Sequence, residues 1–525
     1  MPRIPSPTSV DPSVTTAPEE TTTSSGRMLP ATAPTWGDSF ENSAFGAFET
    51  FLQGLNASGL ARPVLSLGLR AAAPGNDPVW YGAMADHAAT MLEAEQEERP
   101  NRKSFEERSR EYLLEAMATE ATAAPLNGTT AFDDPDFVKE LEAVGGATFS
   151  PGNTVEFLID GPESFAKRAE LIENAKESIH VLTWSIYDDI TGKDLCAKLI
   201  AKAAEGVDVR VIVDRNISSR STHKETLKLM EQNGIPVILW EDPEHRQYGN
   251  HCKVMIVDGT KAIAGGMNPG NEYSHGWDID PNYDGPKWRD TDVYTSGVAG
   301  VAQQELFVSY WNDQVAKQNL PFAPMSVDSE ALLANASQDG SSRVAVIEHK
   351  PGDENFEVLS TMMKAISGAT ETVDIENAYF LNLPGIDQLL QAALMRGVKV
   401  RIFTNSDKSV DEPLVSEPIM RSLPEMFEAG AEVYIKKGDT LHSKFLIVDD
   451  AFVSLGSLNL HPRSLYYDTE MAVNIIDPKA AIALREAFDA DISGDQAIKI
   501  ESHADLKVDS RWYNRFIKKY YFRHL

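Results

Sequence analysis

Two distant stretches of the chain carry the same spaced set of polar residues. The first is GNHCKVMIVDGTKAIAGGMN, residues 249–268, and the second is LHSKFLIVDDAFVSLGSLN, residues 441–459. The residues in matching positions are His251, Lys253, Asp258, Gly265 and Asn268, then His442, Lys444, Asp449, Gly456 and Asn459. Two copies of one pattern indicate internal duplication, so the chain is expected to fold as two related halves.

The duplication extends over a whole unit of structure before each motif. GVDVR begins at Gly206 and GVKVR at Gly397, and the motif histidine lies 45 residues further on in both halves (251 − 206 and 442 − 397). Short β-branched runs alternate with helical patterns in the same order in each half, for example DVRVIVD and PVILWE, then KVRIFTN and EVYIKK. This alternation predicts an α/β fold of two duplicated α/β sandwich lobes related by a pseudo-twofold axis, preceded by a small helical region.

We predict four segments along the chain. Residues 1–41 are rich in Ser, Thr, Pro and Ala with few large apolar side chains, so a disordered tail is expected. Residues 42–136 carry Ala, Leu, Met and Glu at helical spacing and are interpreted as a helical N-terminal region. The first lobe is predicted over residues 137–335 and the second over residues 336–525.

Composition restricts the partners and the location of the protein. A formal net charge of -31 argues against non-specific affinity for nucleic acid or anionic membranes, which Lys and Arg provide. Cys196 and Cys252 have no metal-like spacing and support neither a disulfide framework nor a thiolate zinc site. No run approaches the roughly 18 to 20 apolar residues of a membrane span, and the N-terminus lacks the apolar core of a secretory signal. We therefore expect a soluble protein, cytoplasmic or exported by a non-classical route.

The motif residues form a group of side chains suited to phosphate. KVMIVD and KFLIVD have the composition of short buried strands. Because side chains two apart on a strand share a face, each histidine is expected beside its lysine. The glycine that follows permits close backbone approach, and the asparagine amide can donate to an oxyanion.

Two such sets at one lobe interface can cleave a phosphodiester. One of His251 and His442 can attack phosphorus and form a phosphohistidine, while the other protonates the leaving oxygen and later activates water or an alcohol. The groups predicted to hold the phosphate, without a metal or another cofactor, are Lys253, Lys444, Asn268 and Asn459. Asp292 and Glu470 are candidates to orient the two imidazoles from behind. A structural role is predicted for Asp258, Asp449, Gly265, Gly266, Gly456 and Ser457.

One loop differs between the two halves. From His251 to Asp292 there are 41 residues, whereas from His442 to Glu470 there are 28. The 13 additional residues (41 − 28) fall within PGNEYSHGWDIDPNYDGPKW, an aromatic and acidic stretch. Long loops beside a site commonly carry specificity, so Tyr273, His275 and Trp277 are candidate substrate contacts.

These motifs resemble the phospholipase D superfamily, whose signature is HxK(x)4D(x)6GSxN repeated twice. The resemblance runs from about Phe137 to the C-terminus, and GGMNPGNEY, WRDTDVY and LNLHPRSLYYDTEMAV are most similar to the cardiolipin synthase and bacterial phospholipase branch. It implies a metal-independent, two-step phosphatidyl transfer through a phosphohistidine, with a tendency for His251 to be the nucleophile. Gly266 departs from the pattern, which often has Ser there, and the membrane helices usual in cardiolipin synthases are not found.

We therefore predict a phospholipase D-type phosphodiesterase or phosphatidyltransferase that acts on glycerophospholipids at a membrane or micelle surface. Water or an alcohol is the expected acceptor, and because both half-sites lie in one chain, a monomer can be active. Alternatives left open are cardiolipin synthase-type phosphatidyl transfer and a nuclease of the same superfamily. The acidic charge makes nucleic acid an unfavourable partner. A non-enzymatic scaffold is disfavoured because both motifs are intact.

Overall fold

A computed structural model describes residues 129–219, 223–243, 248–353, 355–383 and 385–506. The predicted tail and almost all of the predicted N-terminal helical region lie outside these ranges. Of that region the structure describes a 3-10 turn at Ala131–Asp133 and the beginning of helix α1 (Pro135–Gly145). Among the helices within the described ranges, none combines the length and apolar character needed to cross a bilayer.

The first half alternates strands and helices as predicted. In chain order its elements are β1 (Ser150–Ile159), α2 (Asp160–Asn174), β2 (Ser178–Thr183), α3 (Ile190–Ala204), β3 (Asp208–Asp214), α4 (Arg215–Ser218), α5 (Lys224–Gln232), β4 (Val237–Trp240), β5 (Gly249–Asn250), β6 (Val254–Val257), β7 (Lys261–Gly265), α6 (Asn271–Ser274), β8 (Thr291–Ser296), α7 (Val298–Lys317) and α8 (Ser329–Asn335).

The second half repeats this order. Its elements are β9 (Ser342–His349), a 3-10 turn (Pro351–Asp353), α9 (Glu357–Ser367), β10 (Thr372–Asn377), α10 (Ile386–Arg396), β11 (Lys399–Thr404), α11 (Pro413–Ala429), β12 (Glu432–Lys436), β13 (Lys444–Val448), β14 (Phe452–Gly456), α12 (Pro462–Tyr466), β15 (Asp468–Ile476), α13 (Pro478–Ser493) and β16 (Ala497–Lys499).

The strand order is the same in both lobes. It is β1-β8-β7-β6-β2-β3-β4 in the first and β9-β15-β14-β13-β10-β11-β12 in the second, where β16 adds an outer strand. The equivalent strands β1 and β9 pair antiparallel, as expected when a twofold axis relates the lobes, and join the two sheets edge to edge. The predicted duplicated α/β fold is thus confirmed. The boundary between residues 335 and 336 stays a prediction; it falls between α8 and β9.

One large hydrophobic core is shared by the two lobes. It contains Phe307 and Trp311 from α7 together with Phe488 from α13, and it includes side chains of β6 and β13. Every residue of these two motif strands is buried, which explains why they have apolar side chains on both faces. A shared core of this kind holds the motif strands at fixed positions across the lobe junction.

Candidate active site

The segments that carry the motif histidines each pair with the opposite lobe. In the first motif, the His251 amide donates to the Thr469 carbonyl of the second lobe at 2.8 Å. In the second motif, the His442 amide donates to the Arg289 carbonyl of the first lobe at 2.7 Å. The motif strands β6 and β13 follow directly along the chain, so their rigid cores fix where the two imidazoles lie.

His251 is held by an acid from the second lobe. Its Nδ1 lies 3.0 Å from each carboxylate oxygen of Glu470, and Ser464 donates its hydroxyl to the same carboxylate at 2.6 Å. The Trp184 ring lies edge-on to the imidazole with 5.5 Å between ring centroids. Lys253 donates to the His251 carbonyl at 2.6 Å, which keeps its ammonium beside the histidine as predicted from the strand period.

His442 is held by an acid from the first lobe. Its Nδ1 lies 2.8 Å from Oδ2 of Asp290. Two aromatic rings enclose the imidazole, Tyr273 at 5.2 Å and Trp288 at 5.4 Å between centroids. The Nζ of Lys444 lies 3.0 Å from the His442 Nδ1 and also donates to the His442 carbonyl. Each imidazole therefore has its acid in the opposite lobe, which makes the two half-sites interdependent.

The expectation that Asp292 lies behind an imidazole is wrong. Asp292 is buried against Arg168, with 2.7 Å between the guanidinium nitrogen and the carboxylate, and it accepts the Ser164 hydroxyl at 2.6 Å. Asp290, two residues earlier, takes the position at His442. Glu470 was expected to orient one of the imidazoles, and it contacts His251 in the structure.

The strand pairing shows that the equivalence expected from the sequence is displaced by two residues. Gly265 pairs with Asp292, whereas its counterpart Gly456 pairs with Ala472, so the structural counterpart of Glu470 is Asp290. The two junctions have the same register, with Thr469 beside Asn250 in one and Arg289 beside Leu441 in the other. A two-residue displacement keeps side chains on the same face, so strand alternation alone does not reveal it.

The phosphate-binding candidates from the two motifs have different surroundings. Asn268 donates to the Tyr273 hydroxyl at 3.1 Å and accepts from the Thr183 hydroxyl at 3.1 Å. Asn459 is buried, and within the described residues its Oδ1 has no hydrogen-bond partner. Both asparagines lie just beyond the strands that follow the motif strands, β7 and β14. Their predicted role in holding a phosphate stays a prediction.

The glycines of the motifs are required by close approach of the neighbouring strand. A β-carbon on Gly456 would collide with the Met471 carbonyl, and one on Gly265 would collide with Asp292 and the Thr291 carbonyl. At Gly266 a β-carbon would lie less than 3.0 Å from the Asp290 carboxylate. The absence of a serine there is thus explained, because the space is filled by the acid that contacts His442. At the equivalent position Ser457 exchanges hydrogen bonds with the Met471 backbone.

Asp258 and Asp449 close the turns that follow the motif strands. Asp258 accepts backbone N–H groups of residues 176, 177 and 178 at 2.8 to 3.2 Å. Asp449 accepts those of residues 370, 371 and 372 at 2.8 Å. Both aspartates have positive φ, 50° and 52°, a conformation that Asp tolerates better than most residues. These contacts fit the structural role that the sequence predicts.

The loop after the first motif contributes one of its three predicted residues to the site. Tyr273 is buried and packs against His442. His275 bonds the Trp288 carbonyl through Nε2 at 2.8 Å, and Trp277 packs with Phe165 and Met267 beside Lys198. In the described part of the chain, neither residue forms a hydrogen bond or ring contact with a motif histidine. A direct role in substrate binding is therefore less favoured for these two.

Burial and the motif lysines lower the pKa of both imidazoles, more strongly at His251. Burial lowers the pKa of His251 well below its ordinary value, and the charges of Lys253 and Lys444 lower it further. Burial and Lys444 also lower the pKa of His442, although Asp290 opposes the shift. A neutral imidazole whose Nδ1 donates to a carboxylate has its lone pair on Nε2, which is the atom needed for attack or for accepting a proton.

The two supporting acids differ in their protonation. Burial raises the pKa of Glu470 to about 7, against the lowering effect of Lys253. Burial would also raise the pKa of Asp290, but His442, Lys444 and the Thr291 amide lower it overall. Burial lowers the pKa of Lys253 to about 7 and that of Lys444 to about 8. An anionic phosphate between these lysines would restore their charge, since opposite charges favour the ionised form.

Sequence reasoning missed Asp290 and both tryptophans. Asp290 directly precedes β8 and Asp292 lies two residues further on within it, so strand periodicity alone does not separate them. Trp184 directly follows β2, and Trp288 lies shortly before β8. An aromatic residue at the end of a strand was the sequence signal that could have identified them.

Comparison with known proteins agrees with this geometry. The family described as "Cardiolipin synthase, PLD-like domain" matches residues 169–275 and 362–492. The major cardiolipin synthase of Bacillus subtilis (strain 168) is 28% identical over 392 residues, which cover 74% of this chain and 78% of that protein. A cardiolipin synthase of Listeria welshimeri is 28% identical over 378 residues, covering 70% of this chain and 75% of that protein.

A solved structure shows the same fold. The phosphatidylserine synthase of Haemophilus influenzae superposes with a TM-score of 0.56 at 16% sequence identity, over 73% of this chain and 97% of that chain. The duplicated lobes, the two complete motifs at their junction and these similarities lead to one conclusion: the chain contains a phospholipase D-like domain that is similar to the domain of cardiolipin synthases.

Proposed function

We propose that this protein is a phosphatidyltransferase that moves the phosphatidyl group of a glycerophospholipid to an alcohol, in the manner of a cardiolipin synthase. The observation that carries the proposal is the pair of buried imidazoles, each backed by a carboxylate from the opposite lobe. Its relatives are named as synthases, which favours transfer over the hydrolysis that the sequence first suggested. Hydrolysis remains the outcome when water replaces the alcohol.

In the first step, Nε2 of His251 attacks the phosphorus and the bond to the leaving alcohol breaks. His442 enters this step as an imidazolium, which Asp290 and the anionic phosphate stabilise, and it gives its Nε2 proton to the departing oxygen. The products are a neutral His442 and a phosphohistidine on His251. The different acids support this assignment. Asp290 is ionised and stabilises the imidazolium form of His442, whereas the strongly lowered pKa of His251 keeps that ring neutral and nucleophilic.

In the second step, His442 removes a proton from the acceptor alcohol. The alkoxide attacks phosphorus, the phosphorus–nitrogen bond breaks, and His251 leaves as a neutral imidazole. Lys253, Lys444 and the two motif asparagines are suited to neutralise the equatorial oxygens in both steps. This set of donors supports the proposal that no metal ion is required.

The test offers purified protein vesicles of phosphatidylglycerol, with and without ethanol, beside a labelled oligonucleotide. Cardiolipin is two phosphatidyl groups joined by one glycerol, so transfer between two phosphatidylglycerol molecules forms cardiolipin and releases glycerol. We expect cardiolipin, and phosphatidylethanol when ethanol is added. The double variant His251→Asn/His442→Asn, purified in parallel, excludes a contaminating activity.

Two other outcomes would redirect the assignment. Phosphatidic acid as the sole product would establish the hydrolytic phospholipase D interpretation, and cleavage of the oligonucleotide alone would establish a nuclease. A parallel reaction in a metal chelator tests the mechanism. Activity is expected to persist there, and a loss restored by one divalent ion would contradict metal independence.

A further inference from the structure

Arg289 lies at the junction between the lobes, outside both motifs. Its side chain is buried, and its three guanidinium nitrogens face residues of both lobes. Nη1 donates to the Asp290 carbonyl at 2.6 Å, to the Thr291 hydroxyl at 2.7 Å and to the Ser443 hydroxyl at 3.2 Å. Nε donates to the carboxylate oxygens of Asp491 at 2.8 and 3.0 Å.

Three acids surround this guanidinium. Asp491 of α13 is the closest, at 2.7 Å from Nη2, followed by Asp160 at 3.6 Å and Glu376 at 3.7 Å. Glu376 is fully buried, and neither of its oxygens has a hydrogen-bond partner within the described residues. Arg289 is therefore the nearest counterion for a group of acids contributed by both lobes.

The backbone of Arg289 forms the junction that brings Asp290 to His442. Its amide donates to the Thr440 carbonyl at 2.8 Å, and its carbonyl accepts the His442 amide at 2.7 Å. The side chain reaches Ser443, the residue after His442, and the carbonyl of Asp290. The same residue thus contacts the chain on both sides of the hydrogen bond between acid and imidazole.

The symmetry-related position does not repeat this side chain. It is occupied by Thr469, whose carbonyl accepts the His251 amide just as the Arg289 carbonyl accepts that of His442. Of the two equivalent junctions, the one that presents Asp290 has an arginine and the one that presents Glu470 has a threonine.

We propose that Arg289 is a positioning residue for the Asp290 carboxylate at His442. Its guanidinium binds Asp491 and Ser443 of the second lobe and thereby holds the segment that carries Asp290. The effect on turnover rests on the proposed function, whereas the effect on the hydrogen bond of His442 does not. The planar fork of Arg makes several directed hydrogen bonds at once, which the single ammonium of Lys cannot reproduce. Arg289→Lys keeps the charge and removes the fork.

Arg401 offers a matched control. It is a buried arginine of the second lobe whose fork binds both carboxylate oxygens of Asp374 at 2.6 Å, and it also contacts Asp489 of α13 at 2.5 Å. None of its hydrogen bonds in the described structure reaches a motif histidine. Arg401→Lys therefore reports the general cost of replacing a buried fork with an ammonium.

The experiment measures three properties of Arg289→Lys, Arg401→Lys and wild type. The first is the downfield NMR resonance of the His442 Nδ1 proton in histidine-labelled protein without substrate, assigned by its loss in His442→Asn. The others are kcat for phosphatidyl transfer and the melting temperature. Arg289→Lys is expected to shift or broaden the resonance and to lower kcat about 10²-fold, the cost of a small misplacement at a reacting centre. Arg401→Lys is expected to lower the melting temperature and to leave the His442 resonance and kcat unchanged.

A double-variant comparison tests whether Arg289 acts through Asp290. In the background of Asp290→Asn, adding Arg289→Lys is expected to lower kcat by less than about twofold further, because residues that act as a unit are not additive. If Arg289→Lys does not fold, Asp491→Asn loosens the same fork from the second lobe and is expected to shift the resonance in the same direction.

The proposal is overturned if Arg289→Lys loses stability like Arg401→Lys but keeps the resonance and kcat. It is also overturned if the two losses in the double variant multiply. A wild-type protein without transferase activity would instead refute the proposed function, and the resonance of Arg289→Lys would still decide the role of Arg289.

Discussion

His251 and His442 occupy related positions in the two lobes, yet they have different supporting acids. Glu470 has a raised pKa of about 7, whereas the pKa of Asp290 is lowered. The imidazolium form is thus better stabilised at His442. Chemical symmetry is broken at the level of single side chains, which suits a reaction that needs a nucleophile and an acid in the same step.

Replacing either motif histidine is expected to abolish turnover. His251→Asn removes the nucleophile and His442→Asn removes the proton donor, and neither can replace the other. We expect kcat to fall by at least about 10³-fold in each, as for other catalytic groups that act as a unit. Initial rates of phosphatidyl transfer check this, with the exposed His503→Asn as the control. Substantial activity in either variant would contradict the two-histidine assignment.

The two neighbouring aspartates are expected to separate catalysis from stability. Asp290→Asn should lower kcat by about 10² to 10⁴-fold, because the amide no longer stabilises the His442 imidazolium. Asp292→Asn should instead lower the free energy of unfolding by about 3 kcal/mol, because it leaves the Arg168 charge buried without its partner. Kinetics and urea unfolding of both variants test this. If Asp292→Asn lowered kcat more than Asp290→Asn does, Asp292 would be the acid that orients His442.

Glu470 is expected to make stability fall as pH rises. Its pKa is raised from 4.5 to about 7, so between these values the folded protein binds a proton that the unfolded chain has released. Relative to Glu470→Gln, the unfolding free energy of wild type should therefore decrease from pH 5 to pH 7, by at most about 1.4 kcal/mol per pH unit. Urea unfolding at pH 5, 6, 7 and 8 measures it. A constant difference between the two proteins would refute the shift.

At the level of elements, the turn after β7 is adapted to the junction that follows. Gly265 and Gly266 lie against the start of β8 and against Asp290, and neither position has room for a side chain. The second lobe has Gly456 and Ser457 at the equivalent turn after β14. The difference at the second position follows from which acid occupies the adjacent space.

Gly266→Ser is expected to impair catalysis although it restores the common family residue. The new side chain would displace the Asp290 carboxylate from His442, so we expect kcat to fall about 10²-fold. The control is Gly352→Ser, where a β-carbon would meet only Tyr248, at 3.9 Å. Transfer kinetics and melting temperatures of both variants check this. Normal turnover in Gly266→Ser would show that Asp290 can move without loss.

At the level of the whole molecule, one chain contains both halves of the site. The acid of each lobe contacts the histidine of the other, and the hydrophobic core is shared between them. Buried cations line the site in a protein whose formal net charge is -31. Two buried lysines are therefore available where a phosphate would bind, in spite of the acidic charge of the whole chain.

A single chain is expected to be sufficient for activity. Turnover per chain should stay constant when the protein is diluted over several orders of magnitude, because both histidines and both supporting acids lie in one chain. Specific activity at each concentration, with mass measured by light scattering, tests this. Activity that falls as a larger species dissociates would show that assembly contributes to the site.

Periodicity and repeat spacing predicted the duplicated α/β fold and the equivalence of the lobes. They also predicted that each motif histidine lies beside its own lysine. These properties are local, because strand alternation and equal spacing fix which residues share a face. The placement of Tyr273 at the site was also anticipated, from the length of its loop. His275 and Trp277 were proposed from the same loop, but the fold of α6 and of the residues after it directs them to other contacts.

The two His-Lys sets and their place in repeated lobes follow from the amino-acid sequence alone. Which acid serves which histidine depends on the folded chain. Glu470 reaches His251, and its structural counterpart at His442 is Asp290 rather than Asp292, because β7 pairs Gly265 with Asp292 whereas β14 pairs Gly456 with Ala472. Strand pairing between distant segments depends on how the lobes pack, and a two-residue displacement leaves the sequence pattern on each face unchanged.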